Sequence, residues 1–100
     1  MRREEIIDFI KKAKLKYINE GLEIKGIFGS FLNSDDFNDI DILIEVKPTF
    51  ANKYGFNSFS KLEEIKNKIS QDINKPIDFA DITAMGKSAK KFIIDKALYV

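Results

Sequence analysis

Residues 39–46 read DIDILIEV, and their strict alternation of acid and isoleucine at the start constrains this chain more than any other feature. A period of two belongs to a β-strand, so Asp39, Asp41, Leu43 and Glu45 fall on one face and Ile40, Ile42, Ile44 and Val46 on the other. The isoleucine face reads as core. The opposite face brings two carboxylates together, roughly 6–7 Å apart at Cα. Their side chains can converge to about 4 Å, where repulsion at an effective dielectric near 20 is about 4 kcal/mol.

Solvent, a shared proton, a basic partner or a divalent cation can offset that repulsion. No Lys or Arg shares the face within this strand, so a hard cation with oxygen ligands, Mg²⁺ or Mn²⁺, is the most economical answer. Asp is also disfavoured in strands, which argues against an ordinary solvent-facing edge. Composition narrows the chemistry further. The chain has no Cys and no His, which removes disulfides, thiolate metal sites and the usual neutral-pH base. Its 17 Lys plus Arg against 16 Asp plus Glu give no overall field to capture nucleic acid or an anionic membrane, so a phosphate ligand must be held locally.

The 100 residues fit a single domain, 1–100, with one site. From Arg2 to Glu20, Ile6, Ile7, Ile10, Ala13, Tyr17 and Ile18 recur at helical spacing, closed by Gly21. LEIKGIF, residues 22–28, predicts a first strand, and residues 33–38, NSDDFN, a turn. After the acidic strand, TFANKYGFNS predicts a loop packed down by Phe50, Tyr54 and Phe56. Phe59, Leu62, Ile65, Ile69 and Ile73 form the stripe of a second long helix, which Asn57 or Ser58 can cap. IDFADI gives a third strand, and Ser88 to Leu98 a last helix with Ala89, Phe92, Ile93, Lys96 and Ala97 at helical spacing. The expectation is an α+β fold of order α-β-α-β-α-β-α, with a small mixed sheet of three to four strands. No leader or membrane span is evident, so a cytoplasmic protein is expected.

Mg²⁺ keeps several waters and borrows phosphate oxygens from its substrate, so a carboxylate cluster points toward nucleotide phosphates. Gly29-Ser30 can hold them, because a glycine admits phosphate close to the backbone and a serine hydroxyl can donate to it. Asp78, between Ile77 and Phe79, offers a third carboxylate. Asp81 has the opposite parity and should face away.

Taken in order, FGS, then DID entering an apolar strand, then IDF on a later strand resembles the minimal nucleotidyltransferase domain of the DNA polymerase β superfamily. The resemblance extends to the closing IIDKALYV, similar to that family's last helix. It implies that Gly29 and Ser30 contact the nucleotide phosphates, that Asp39 and Asp41 ligate two Mg²⁺ ions, and that Asp78 lies nearest the attacking hydroxyl. It further implies ATP as substrate and a HEPN-domain toxin as partner, with AMP transferred onto a toxin tyrosine, by a homodimer or a complex with the toxin. An antitoxin that neutralises by contact alone and a small-molecule nucleotidyltransferase are the alternatives. One departure stands out. Where many members continue after GS with a small residue, an arginine and a glycine, this chain has FLNSDDFN, with no basic residue. Lys25, Lys87 or a partner's arginine would have to supply that charge.

Overall fold

The aliphatic face of residues 40–46 meets the aliphatic stripes of two long helices, and the rest of the architecture follows from that contact. A computed structural model describes residues 1–33 and 37–100. Its elements are α1 (Arg3–Tyr17), β1 (Leu22–Phe28), α2 (Ser30–Asn33), β2 (Ile40–Val46), α3 (Pro48–Tyr54), α4 (Ser58–Ile73), β3 (Ile77–Asp81), α5 (Lys87–Lys96) and β4 (Leu98–Tyr99). The predicted turn at 33–38 falls partly on residues 34–36, outside the described residues.

The strands form one mixed sheet in the order β3-β2-β1-β4. β1 pairs antiparallel with both β2 and β4, while β2 and β3 run parallel. A parallel pair needs a long crossover, and α3 with α4 provide it. Ile6 and Ile10 of α1, Ile65 and Ile69 of α4, Ile24 and Ile27 of β1, and Ile40, Ile42 and Ile44 of β2 bury together. Each such side chain contributes about 1.5–3 kcal/mol on leaving water. The other sheet face is left to the carboxylates and to a smaller buried pair, Leu43 and Ile82, outside the main cluster. Asp81 holds that corner. Its carboxylate accepts from the Thr83 amide at 2.9 Å and hydroxyl at 2.7 Å, fixing the short 3₁₀ turn that packs on β2.

A bulge in β1 decides which residues reach the site. Ile24 pairs with Ile44 and Gly26 with Leu43, leaving Lys25 as the extra residue. Beyond it the alternation inverts, so Ile27 turns into the core and Phe28 lies beside Asp41 on the open face.

Three expectations need correction. Residues 48–54 form a helix: Pro48 opens α3 at its first turn, where its missing N–H costs nothing. Phe50 is buried and meets the Tyr54 ring at a tilt, 4.9 Å between centroids, but Phe56 is fully exposed and anchors nothing. The α4 stripe starts at Leu62, since Phe59 is 75% exposed, and neither Asn57 nor Ser58 caps this helix; the Ser58 hydroxyl donates to the Gly55 carbonyl instead. Finally, the last helix stops at Lys96 and Leu98–Tyr99 becomes β4. The free edge of β1 offers unpaired backbone groups, and β4 satisfies them, helped by the Val100 amide donating to the Lys25 carbonyl at 3.1 Å. Among the described residues no helix is long and apolar enough to cross a membrane.

Candidate metal and nucleotide site

Phe28, Asp41 and Asp78 stand in one row across β1, β2 and β3, because the two pairings place Asp41 opposite both neighbours. Asp39, one residue before β2, joins the row from the same side. One carboxylate oxygen from each of Asp39, Asp41 and Asp78 lies within 4.8 Å of the others. The structure therefore brings together all three acids expected from the sequence. Asp39 and Asp41 are half-buried and Asp78 is exposed.

No hydrogen bond or ion pair reaches these three carboxylates from any described residue. Burial, then the charges of Asp39 and Asp78, push the Asp41 carboxyl above the ordinary aspartate range. The cluster is thus a concentration of negative charge that the described residues do not neutralise.

Gly29 closes β1 at φ +81°, and a Cβ there would overlap the Asp41 Oδ2. Only glycine suits both the left-handed backbone and the close approach of that carboxylate. Its carbonyl accepts from the Leu32 amide at 3.1 Å and the Asn33 side chain at 3.3 Å, which fixes the turn. Ser30 follows, exposed, as the first residue of α2. With only four residues, α2 has little macrodipole, so Ser30 contributes through its hydroxyl and the glycine beside it.

Sequence reasoning missed what anchors this turn. Phe31 is fully buried and meets Phe37 edge-on at 4.6 Å, with the Arg3 guanidinium 5.3 Å from the Phe31 ring. The two phenylalanines flanking LNSDD were the available signal.

The basic residues divide clearly. Lys25 bridges Glu23 at 3.3 Å and Glu45 at 3.4 Å, and Lys47 bridges the same pair at 3.3 and 2.6 Å. The hydrogen bond from Lys47 keeps the Glu45 carboxyl below its ordinary range. For Glu23, burial works upward but is outweighed by the bonds from Lys47 and Lys25. Lys25 is therefore committed to a glutamate network rather than to a phosphate. Lys87 sits exposed in the first turn of α5. A cation that the sequence reading did not select for this role, Lys96, lines a cleft together with Gly29.

No protein-family model matches the chain, and no curated protein matches it. A solved structure described as a candidate minimal nucleotidyltransferase is similar over 100% of this chain and 97% of that one, with a TM-score of 0.72 at 14% identity. The chain has the minimal nucleotidyltransferase fold. In this chain that fold is the β3-β2-β1-β4 mixed sheet with the long helices packed on one face.

On this nucleotidyltransferase fold the donor set suits a hard divalent cation. Mg²⁺ at about 2.1 Å from its ligands holds adjacent oxygens about 3 Å apart and opposite ones about 4.2 Å apart. The carboxylate oxygens, within 4.8 Å of one another, lie close to those values. The exposure of Asp78 leaves room for the waters and substrate oxygens that Mg²⁺ retains.

Proposed function

We propose that this chain is a Mg²⁺-dependent nucleotidyltransferase that transfers AMP from ATP onto a protein hydroxyl, a tyrosine of a HEPN-domain toxin encoded beside it. One observation carries the reading: Asp39, Asp41 and Asp78 converge beside Gly29-Ser30 on a minimal nucleotidyltransferase fold. Two bound Mg²⁺ ions, or Mn²⁺ in their place, supply Lewis-acid activation of the acceptor and charge neutralisation on the triphosphate.

The chain's own residues do the remainder. Asp39 and Asp41 hold the donor side of the site. Gly29, lacking a Cβ, lets phosphate oxygens approach the backbone, and the exposed Ser30 hydroxyl donates to one of them. Asp78, outermost in the row, faces the acceptor and receives the hydroxyl proton. The acceptor oxygen bonds to the α-phosphorus as the bond from that phosphorus to the α–β bridging oxygen breaks. Pyrophosphate leaves with the electron pair.

The absence of any basic residue from 31 to 38 favours a second reading, an antitoxin that neutralises its partner by contact. α-Phosphate-labelled ATP, Mg²⁺ and the neighbouring gene product distinguish the two. Label should appear on the toxin and vanish with Asp39→Ala plus Asp41→Ala. Absent label, or label that survives the double substitution, overturns the enzymatic reading; a folded double variant that still neutralises supports contact alone.

A further inference from the structure

α5 is an amphipathic helix without a single buried residue, and it exposes 67% of Phe92. That is an odd way to spend an aromatic ring unless something covers it. The helix forms the far wall of a cleft of about 570 Å³, whose near wall is Phe28, Gly29 and Leu32. This volume lies within the range of small-molecule sites. Another cleft, of about 590 Å³, runs along α4 beside Phe59 and Glu63 and shares no residue with the carboxylate row.

Position links the α5 cleft to the carboxylates. Across the sheet come Asp78 on β3, Asp41 on β2 and Gly29 at the end of β1, then β4, which α5 leads into. Gly29 belongs to both places: it lines the cleft and fits against Asp41. Charge is complementary as well. Lys96 is exposed on the cleft wall and has no ion-pair or hydrogen-bond partner among the described residues, whereas Lys25 and Lys47 are engaged by glutamates.

We propose that this cleft holds the nucleoside of the donor nucleotide, its base stacked on Phe92, with Lys96 contacting the phosphate chain that runs past Gly29 to the carboxylates. The proposal deepens the nucleotidyltransferase reading and rests on it. The walls are apolar and an exposed ring offers a π-face, the combination that accepts a base. Lys96 supplies from α5 the positive charge that residues 31–38 lack.

The test is calorimetric titration of the intact chain, in Mg²⁺, with α,β-methylene-ATP, which cannot release pyrophosphate, and with inorganic tripolyphosphate. Phe92→Ala should weaken the nucleotide about tenfold or more and leave tripolyphosphate unchanged, while Phe92→Tyr restores binding. Lys96→Gln should weaken both ligands about three- to tenfold. Circular dichroism checks that each variant is folded. If Phe92→Ala and Lys96→Gln bind like the parent while Asp39→Ala plus Asp41→Ala does not, the cleft assignment is overturned and the nucleotidyltransferase reading stands. If the parent binds no nucleotide, both fall.

Discussion

Gly29 and Asp41 are fitted to each other: the glycine's missing side chain is the space that the aspartate's Oδ2 occupies. The phosphate-approach turn and the central carboxylate come from adjacent antiparallel strands, and the pairing of Phe28 with Asp41 sets their contact. Gly29→Ala should therefore cost stability twice, through its left-handed backbone and through displacement of Asp41. A loss of about 1–3 kcal/mol is expected, which corresponds to roughly 4–8 °C in Tm per kcal/mol at this size. In an Asp41→Ala background only the backbone cost should remain. Equal losses in both backgrounds, measured by thermal unfolding, would show that the two residues do not share that space.

Asp41 also sets a pH dependence. Its native carboxyl titrates above the unfolded value of 3.8, so between those two pKa values the folded state holds more protons than the unfolded one. Stability then falls as pH rises through that window, and the penalty is fully present above it. In chelator, Asp41→Asn should be more stable than the parent at pH 7, by about 0.5–1 kcal/mol after solvent screening of this half-exposed cluster. The advantage should close below about pH 4. Added Mn²⁺ should reverse the order, because the parent gains binding energy that the variant lacks. Melting curves at several pH values, with and without Mn²⁺, test all three expectations.

The acidic row was legible because Asp39, Asp41 and Asp78 interrupt runs of residues that otherwise bury, and period-two alternation fixes their faces. The β1 bulge was not legible, since nothing in LEIKGIF announces that Lys25 is the extra residue; pairing with β2 creates it. The same holds for β4. ALYV continues a helical spacing, and only the free edge of β1 turns Leu98–Tyr99 into a strand. Pro48 hides the helical propensity of residues 48–54, because a proline after a strand signals a break, whereas here it stands in the first turn of a helix. Phe56 and Phe59 show the limit of reading aromatics as core: composition cannot tell an anchor from a surface ring.

Lys25 separates two roles that the sequence left open. Its ammonium lies between Glu23 and Glu45, and each of those acids also pairs with Lys47. Lys25→Gln should leave affinity for α,β-methylene-ATP within about twofold of the parent and cost no more than about 1 kcal/mol of stability, the range for partly exposed ion pairs. A tenfold loss of nucleotide affinity in a folded variant would instead return Lys25 to the phosphate.

Gly26 controls the far wall of the cleft from inside the sheet. A Cβ on Gly26 would sit 2.5 Å from the Leu98 carbonyl oxygen and 3.2 Å from the Tyr99 Cα, so β4 pairs with β1 only because residue 26 has no side chain. Gly26→Val should push β4 off the edge and release the end of α5, at a cost of about 1–2 kcal/mol. Hydrogen exchange should report it locally: the Val100 amide, bonded to the Lys25 carbonyl, should lose protection, while amides of the β2–β3 pairing keep theirs. Mn²⁺ binding at Asp39, Asp41 and Asp78 should stay within about twofold of the parent, because those acids lie on the other side of β1 from β4. Unchanged protection at Val100 would mean that β4 tolerates the side chain, and a parallel loss of Mn²⁺ binding would mean that the edge strand and the carboxylates are coupled through β1.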